Sequence, residues 1–194
     1  MLPDPARNEV RTLDHAAAMT SVAHEIRIGG LGKDELLAAL HASGVALNAA
    51  ARDLFADERF AVHPAASVLR LVEVPVEDLG FPRGGTMPEI LRVAGGGGLA
   101  PCPLEVGPHL RLKLIDQEEG CTGLPEQRHC APPGSITVVS SPIGPEDETP
   151  KGFYLRRING TPWLRGYHSD DTHVWSAKDR LVLCLANPCA HSRS

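Results

Sequence analysis

The chain has 194 residues, 42% of them hydrophobic but only 4% aromatic, and a formal net charge of −5. That length suits one compact domain with a mainly aliphatic core, and the acidic balance argues against a dedicated duplex-DNA binder. Its five cysteines (102, 121, 130, 184 and 189) form no C-x-x-C pair and no apolar run approaches the ~18 residues of a membrane span, so neither a disulfide scaffold nor a membrane protein is expected.

Residues 1–13 hold two early prolines and alternating charges, the pattern of a flexible arm. No apolar stretch follows a basic start, so no secretory signal is expected and the predicted location is cytoplasmic. From Asp14 to Ile28, Ala16, Met19, Ala23 and Ile26 recur near helical spacing and predict a helix, broken by Gly29, Gly30 and Gly32. "KDELLAAL" places Leu36, Leu37 and Leu40 on one face, with Asp34 and Glu35 at the dipole-favoured start and Ser43-Gly44 at the close. "ALNAAARDLF" puts Leu47, Ala51, Leu54 and Phe55 on the face of a second helix. The pair raises a helix-turn-helix question. Arg52 stands beside Asp53, Asp57 and Glu58, a poor match to a helix that meets phosphates.

"SVLRLVEV" alternates and predicts a strand. Thr86 and Glu89 form a capping box for a short helix with Ile90, Leu91 and Ala94 inward. Glycines 95–98 follow that helix, whereas a phosphate-cradling loop precedes one, so they read as a connector. "GGLGKD" at 29–34 also fails as a phosphate loop: Arg27 stands at the first glycine position, and Asp34 replaces the Ser/Thr that would hold Mg²⁺. Beyond Leu104 come "HLRLKL", with Leu110, Leu112 and Leu114 on one face of a predicted strand, then "SITVVSS", a hairpin at 153–167, "HVW" and "RLVLCL". The expected fold class is α+β: a helical N-terminal half (14–98) packed on a C-terminal antiparallel β-sheet or partial barrel (99–187), followed by a flexible tail (188–194).

"FYLRRINGTPWLRGY" carries the most information. Asn-Gly suits a two-residue hairpin turn, which needs φ > 0 at both central positions. This pairs Ile158 with Thr161, Arg156 with Trp163 and Tyr154 with Arg165. One face then holds Tyr154, Arg156, Trp163, Arg165 and Tyr167, and the other Phe153, Leu155 and Leu164. The apolar face belongs in the core. The other offers two cross-strand cation–π pairs and a platform for an anionic small molecule, a nucleotide, RNA or an acidic protein partner. Its plainer reading is two arginines shielding rings with their stems, the more so where the acidic loop 146–148 folds back on it. Pro162 cannot donate to a ladder, so the start of the second strand belongs at an edge or a break in pairing.

"HSDDTH" supplies His168, Asp170, Asp171 and His173, residue types of a divalent metal site but at no established spacing; an Asx turn is the simpler reading. Cys102, His109, Cys121, His129 and Cys130 lack the close pairs that zinc knuckles use. No nucleophile elbow is present; Glu105, Asp116, Glu118 and Glu119 could supply paired carboxylates, but Glu118-Glu119 reads first as a solvated turn.

The runs "CPLEVGPHLRLKLIDQEEG", "APPGSITVVSSP", "KGFYLRRINGTPWLRGY" and "HVWSAKDR" resemble a small family of uncharacterised bacterial proteins over residues 34–185. The resemblance implies a single bacterial cytoplasmic module and carries over no activity, ligand or catalytic residue. The functional expectation is therefore a non-enzymatic binding module using the hairpin face. Its alternative is a small metal-assisted enzyme built on the His/Asp loop, with His109 as an outside candidate.

Overall fold

The computed structural model describes residues 21–120, 131–144, 146 and 148–186. In chain order these form β1 (Val22–Ile28), α1 (Lys33–Ala42), β2 (Ala46–Leu47), α2 (Ala49–Ala56), β3 (Ser67–Pro75), a 3-10 turn (Val76–Leu79), β4 (Gly85–Thr86) and α3 (Met87–Gly96). Then come β5 (Leu99–Ala100), α4 (Val106–Lys113), β6 (Ile136–Val138), β7 (Gly152–Ile158), β8 (Thr161–Tyr167), β9 (Val174–Trp175) and β10 (Arg180–Leu185). Eight strands make one mixed sheet in the order β1-β3-β10-β6-β7-β8-β2, with β5 on the end of β10, and β4 and β9 form a separate ribbon. The β10–β6 and β2–β8 pairs are parallel and the others antiparallel.

This corrects the expected architecture. There is no helical half packed on a separate C-terminal sheet: β1 and β3, from the N-terminal half, pair along seven residues and join β10 directly. Two elements take the other period from the one their sequences predict. Within Asp14–Ile28 the described part is strand β1, because Ile26 and Ile28 are buried on one side while Arg27 between them is exposed. "HLRLKL" is instead the end of α4. Its leucines alternate, but Val106, Leu110 and Leu114 also stand at i, i+4 and i+8, and the helical period wins because both Leu110 and Arg111 are buried. Pro108 sits in the first turn, where its missing N–H is no loss.

The other elements form as their sequences dictate. Thr86 and Glu89 close the capping box of α3, with the Thr86 N–H donating to Glu89 Oε2 at 2.9 Å. Asn48 caps α2 by accepting from the Ala51 N–H at 2.9 Å. That helix packs Ala51, Leu54 and Phe55 into the core against β8.

The sheet is covered on both faces. On the first, α1, α2 and α4 cover Ile26, Leu71, Val182, Val138, Phe153, Leu155 and Leu164. Phe55, Phe60 and Phe153 meet there, with centroids 5.3–6.1 Å apart. On the second, α3 and the β4–β9 ribbon close over Val74, Leu181, Leu183 and Val139. Because successive strand residues point to opposite faces, β3 and β10 are apolar on both sides, as central strands must be. Glu73 is the buried exception, and its carboxylate is held by His24 Nε2 (2.9 Å) and Arg180 Nε (2.7 Å).

The helix layer approaches β8 closely at one point. A Cβ on Gly166 would lie 2.6 Å from the Ala50 backbone carbon. The Asn48 side chain takes both backbone groups of Gly166, accepting from its N–H at 2.8 Å and donating to its carbonyl at 3.0 Å. Gly166→Ala is therefore expected to cost about 1–3 kcal/mol, the range of overpacking substitutions, seen as a lower urea midpoint. Gly95→Ala in α3, where a Cβ meets nothing within 4 Å, should raise the midpoint instead. Equal midpoints for the two variants would show that the contact at Gly166 is slack.

Candidate functional site

The hairpin has the register that Asn-Gly dictates. Asn159 and Gly160 have φ of 50° and 75°, and Ile158 pairs with Thr161, Arg156 with Trp163, and Tyr154 with Arg165. The Glu119 carboxylate accepts from the N–H groups of both Asn159 and Gly160, so one of the two glutamates expected in a solvated turn caps the hairpin. Phe153, Leu155 and Leu164 are fully buried. Tyr154, Arg156, Trp163, Arg165 and Tyr167 are half-buried on the opposite face. Pro162 lies one residue before β2 begins to pair with β8 at Trp163, so the outer ladder starts just beyond the residue that cannot donate.

The cation–π geometry differs in one respect from the cross-strand expectation. The Arg165 guanidinium carbon lies 5.7 Å from the Tyr154 centroid and 5.4 Å from the Trp163 centroid, so one arginine serves both rings. Trp163 is two residues along the same strand, a neighbour on the same face rather than across the ladder. Arg165 Nε is buried without a hydrogen-bond partner, and among the described residues no carboxylate pairs with this side chain. The acidic loop lies elsewhere in its described part: Glu146 pairs with Arg59 at 3.3 Å, and the Glu148 carbonyl meets His168 Nε2 at 3.1 Å.

Tyr154 also lines a cleft of about 190 Å³ beside this face, together with Thr137, Tyr167, His168, His173 and Trp175. Trp175 is the floor of a ring cluster: Tyr167 meets it edge-on at 5.7 Å and His173 at 5.1 Å. Its Nε1 is buried without a partner. Burial pushes the Tyr167 phenol above its ordinary value, so the ring remains a neutral hydroxyl at physiological pH. Buried Asp179 fixes the opposite wall by accepting from the Ala131 N–H (3.1 Å) and the Ser176 N–H (2.8 Å), and desolvation holds its carboxyl above the usual range. At Tyr167 and Ser169 the cleft runs into a longer groove of about 930 Å³, bounded by Met87 and Leu91 of α3 and by the turn at Asp170–Thr172.

The four metal candidates do not gather. Asp170 makes an Asx turn, accepting from the Thr172 N–H at 2.8 Å and the Thr172 hydroxyl at 2.6 Å. His168 turns to the Glu148 carbonyl, His173 packs on Trp175, and Asp171 is exposed. Among the described residues no three His, Cys, Asp or Glu side chains form a group able to hold a metal ion. Of the cysteine–histidine set, Cys121, His129 and Cys130 lie outside the described residues. Cys102 is in the core and His109 is on α4.

Sequence reasoning named Glu105 only as one of four possible paired carboxylates and missed the cluster around it; the residue is 0% exposed. Its carboxylate accepts from the N–H groups of Gly29 (3.1 Å) and His63 (3.0 Å) and from His63 Nδ1, tying the end of β1 and the segment before β3 to the start of α4. His109 Nε2 is buried and without a hydrogen bond, 3.7 Å from Glu105 Oε2. No periodicity marks such a residue; its only signal is a carboxylate one residue before a helix.

Searches for similar proteins among family models, curated proteins and solved structures find no match. Among the described residues no helix is long and apolar enough to cross a membrane.

Burial holds the His109 imidazole below its ordinary 6.5, outweighing the opposite pull of Glu105. The unfolded chain takes that proton near the ordinary value, and the folded protein takes it only at lower pH. The associated stability is thus present above about pH 6.5 and is lost as pH falls through the folded value. Urea midpoints measured from about pH 7 to pH 5 should fall more steeply for the native protein than for His109→Gln; parallel curves would assign the acid sensitivity to other groups.

Proposed function

We propose that the protein is a non-enzymatic binding module for a small ring-bearing anion, of which a mononucleotide is the best-fitting class. The observation that carries this reading is the Arg165 guanidinium held against two rings, with a buried Nε lacking an acceptor and no carboxylate on it among the described residues. A guanidinium between aromatic faces keeps its charge, is oriented in advance, and presents its edge to an incoming oxyanion. Tyr154 borders both Arg165 and the cleft, so one ligand reaches both. At about 190 Å³ the cleft is smaller than the ~300–1,000 Å³ of drug-sized pockets, and it suits a single ring or base whose anionic group stays outside, beside the arginine. Stacking on a ring is worth about 1–3 kcal/mol per base and depends little on base identity, so the binding should discriminate weakly among nucleobases.

The metal-assisted enzyme has no comparable support, since Asp170 is engaged in its turn and His173 in ring packing. Titration of nucleoside monophosphates at low salt, followed by tryptophan fluorescence, should give saturable binding. Arg165→Gln should weaken that binding roughly tenfold to a hundredfold, the worth of one or two hydrogen bonds to a charged group. Binding should also weaken as salt rises. A flat titration to millimolar ligand, or one that Arg165→Gln leaves unchanged, would refute the proposal; tight binding of RNA or an acidic protein without mononucleotide binding would reassign the face.

A further inference from the structure

The two ends of the mixed sheet are finished differently. At one, β2 and the Asn48 amide occupy the outer side of β8. At the other, β1 pairs with β3 along seven residues, and among the described residues no strand lies on its outer side. Two hydrogen bonds show which of its backbone groups face out. The Val139 N–H donates to the Val182 carbonyl, which turns Val182 toward β6; its opposite residue on β3, Glu73, therefore turns its own groups to Val22 of β1. Bonding alternates along an antiparallel ladder, so Val22, His24, Ile26 and Ile28 bond to β3, while Ala23, Glu25 and Arg27 present their groups outward. Lys113 Nζ, donating to the Glu25 carbonyl from α4, agrees with that assignment. Glu25 and Arg27 are exposed on one face of the strand. Of the five large hydrophobic side chains exposed among the described residues, Val22 is on β1, Val68 on β3 opposite Arg27, and Leu31 just past β1.

We propose that the outer edge of β1 docks a second copy of this chain, the two strands pairing antiparallel about a two-fold axis at Ile26 so that one sheet runs through both copies. A two-fold contact must be its own complement, and outward backbone groups must meet outward groups. Those conditions leave three central registers. With the axis at Glu25, two carboxylates meet; with the axis at Arg27, two guanidiniums meet. With the axis at Ile26, Glu25 of each copy faces Arg27 of the other, so opposite charges pair twice on the exposed face. The Glu25 N–H then donates to the Arg27 carbonyl of the second copy, and the Glu25 carbonyl exchanges the Lys113 ammonium for the Arg27 N–H. The two-fold closes the contact, so it gives a dimer and no filament. A ladder this short belongs at the small end of specific interfaces, and the dimer is weak, with a Kd in the micromolar range. β1 lies at the far end of the sheet from the hairpin face, so this inference stands independently of the ligand-binding reading.

The test is analytical ultracentrifugation of the full chain at low salt, up to hundreds of micromolar, which should show monomer and dimer exchanging with concentration and no larger species. Arg27→Glu sets two like-charged pairs in place of the two opposite ones and should weaken the dimer about tenfold or more. Glu25→Arg combined with Arg27→Glu restores both pairs and should recover it, which also controls for folding. Amide exchange at Glu25 and Arg27 should slow as the chain concentration rises. A monomer at every concentration would overturn the proposal, as would a dimer that Arg27→Glu leaves unchanged or that the double variant fails to recover. Amides at Glu25 and Arg27 already protected in the monomer would overturn it equally, by showing that another part of the chain covers the edge.

Discussion

Two consecutive residues with positive φ, Asn159 and Gly160, set the register on which the cationic-aromatic face of the hairpin depends. With period 2 along a strand, a shift of one residue would send Phe153, Leu155 and Leu164 to the outside and bring the arginines into the aliphatic core. The turn and the packing agree. The Phe153 ring fills a space against Gly107 where a Cβ would lie 2.7 Å from it, and Leu164 lies beneath α2. Glu119 adds a third restraint by accepting from both turn amides. Local conformation, core burial and side-chain capping thus select one arrangement, and the polar face follows from it.

That face has chemistry because the sheet is covered unevenly. The α1, α2 and α4 layer backs the first face through to β8, while the second layer, α3 with the β4–β9 ribbon, packs chiefly over β3, β10 and β6. Where the second layer stops, Trp175 and Tyr167 mark the boundary, and the cleft lies there. Rings at such a boundary are anchored on one side and available on the other, which suits recognition of a flat ligand at little entropic cost. The Asp179 carboxylate, spanning Ala131 and Ser176, keeps that boundary in place.

The hairpin was legible because a two-residue turn and strict alternation leave little freedom, and α1, α2 and α3 were legible because each has a stop or a cap. The fold class was not. Ala16, Met19, Ala23 and Ile26 have helical spacing, and over Val22–Ile28 what decides for a strand is the seven-residue partner in β3, far along the chain. "HLRLKL" alternates, yet as α4 it buries Arg111, whose guanidinium bonds to Gln117 and the Leu114 carbonyl; an arginine in the pattern had pointed to a solvent face. Buried Glu73 and Glu105 are likewise legible only through their partners in space. The candidate face could be read as a list of residues. The assignment of both rings to Arg165 and the wall supplied by Trp175 could not, since β9 follows a loop whose path the sequence does not set.

The outer side of β8 bears on how the molecule behaves in a crowd. Strand edges with rows of open N–H and C=O groups recruit other chains. Here Pro162 offers no donor, the two residues of β2 occupy Trp163 and Leu164, and the Asn48 amide takes both backbone groups of Gly166. A side chain thus stands in for the missing continuation of a neighbouring strand. The half-buried aromatic face of the hairpin thus stands beside an edge that offers little template for edge-to-edge polymerisation.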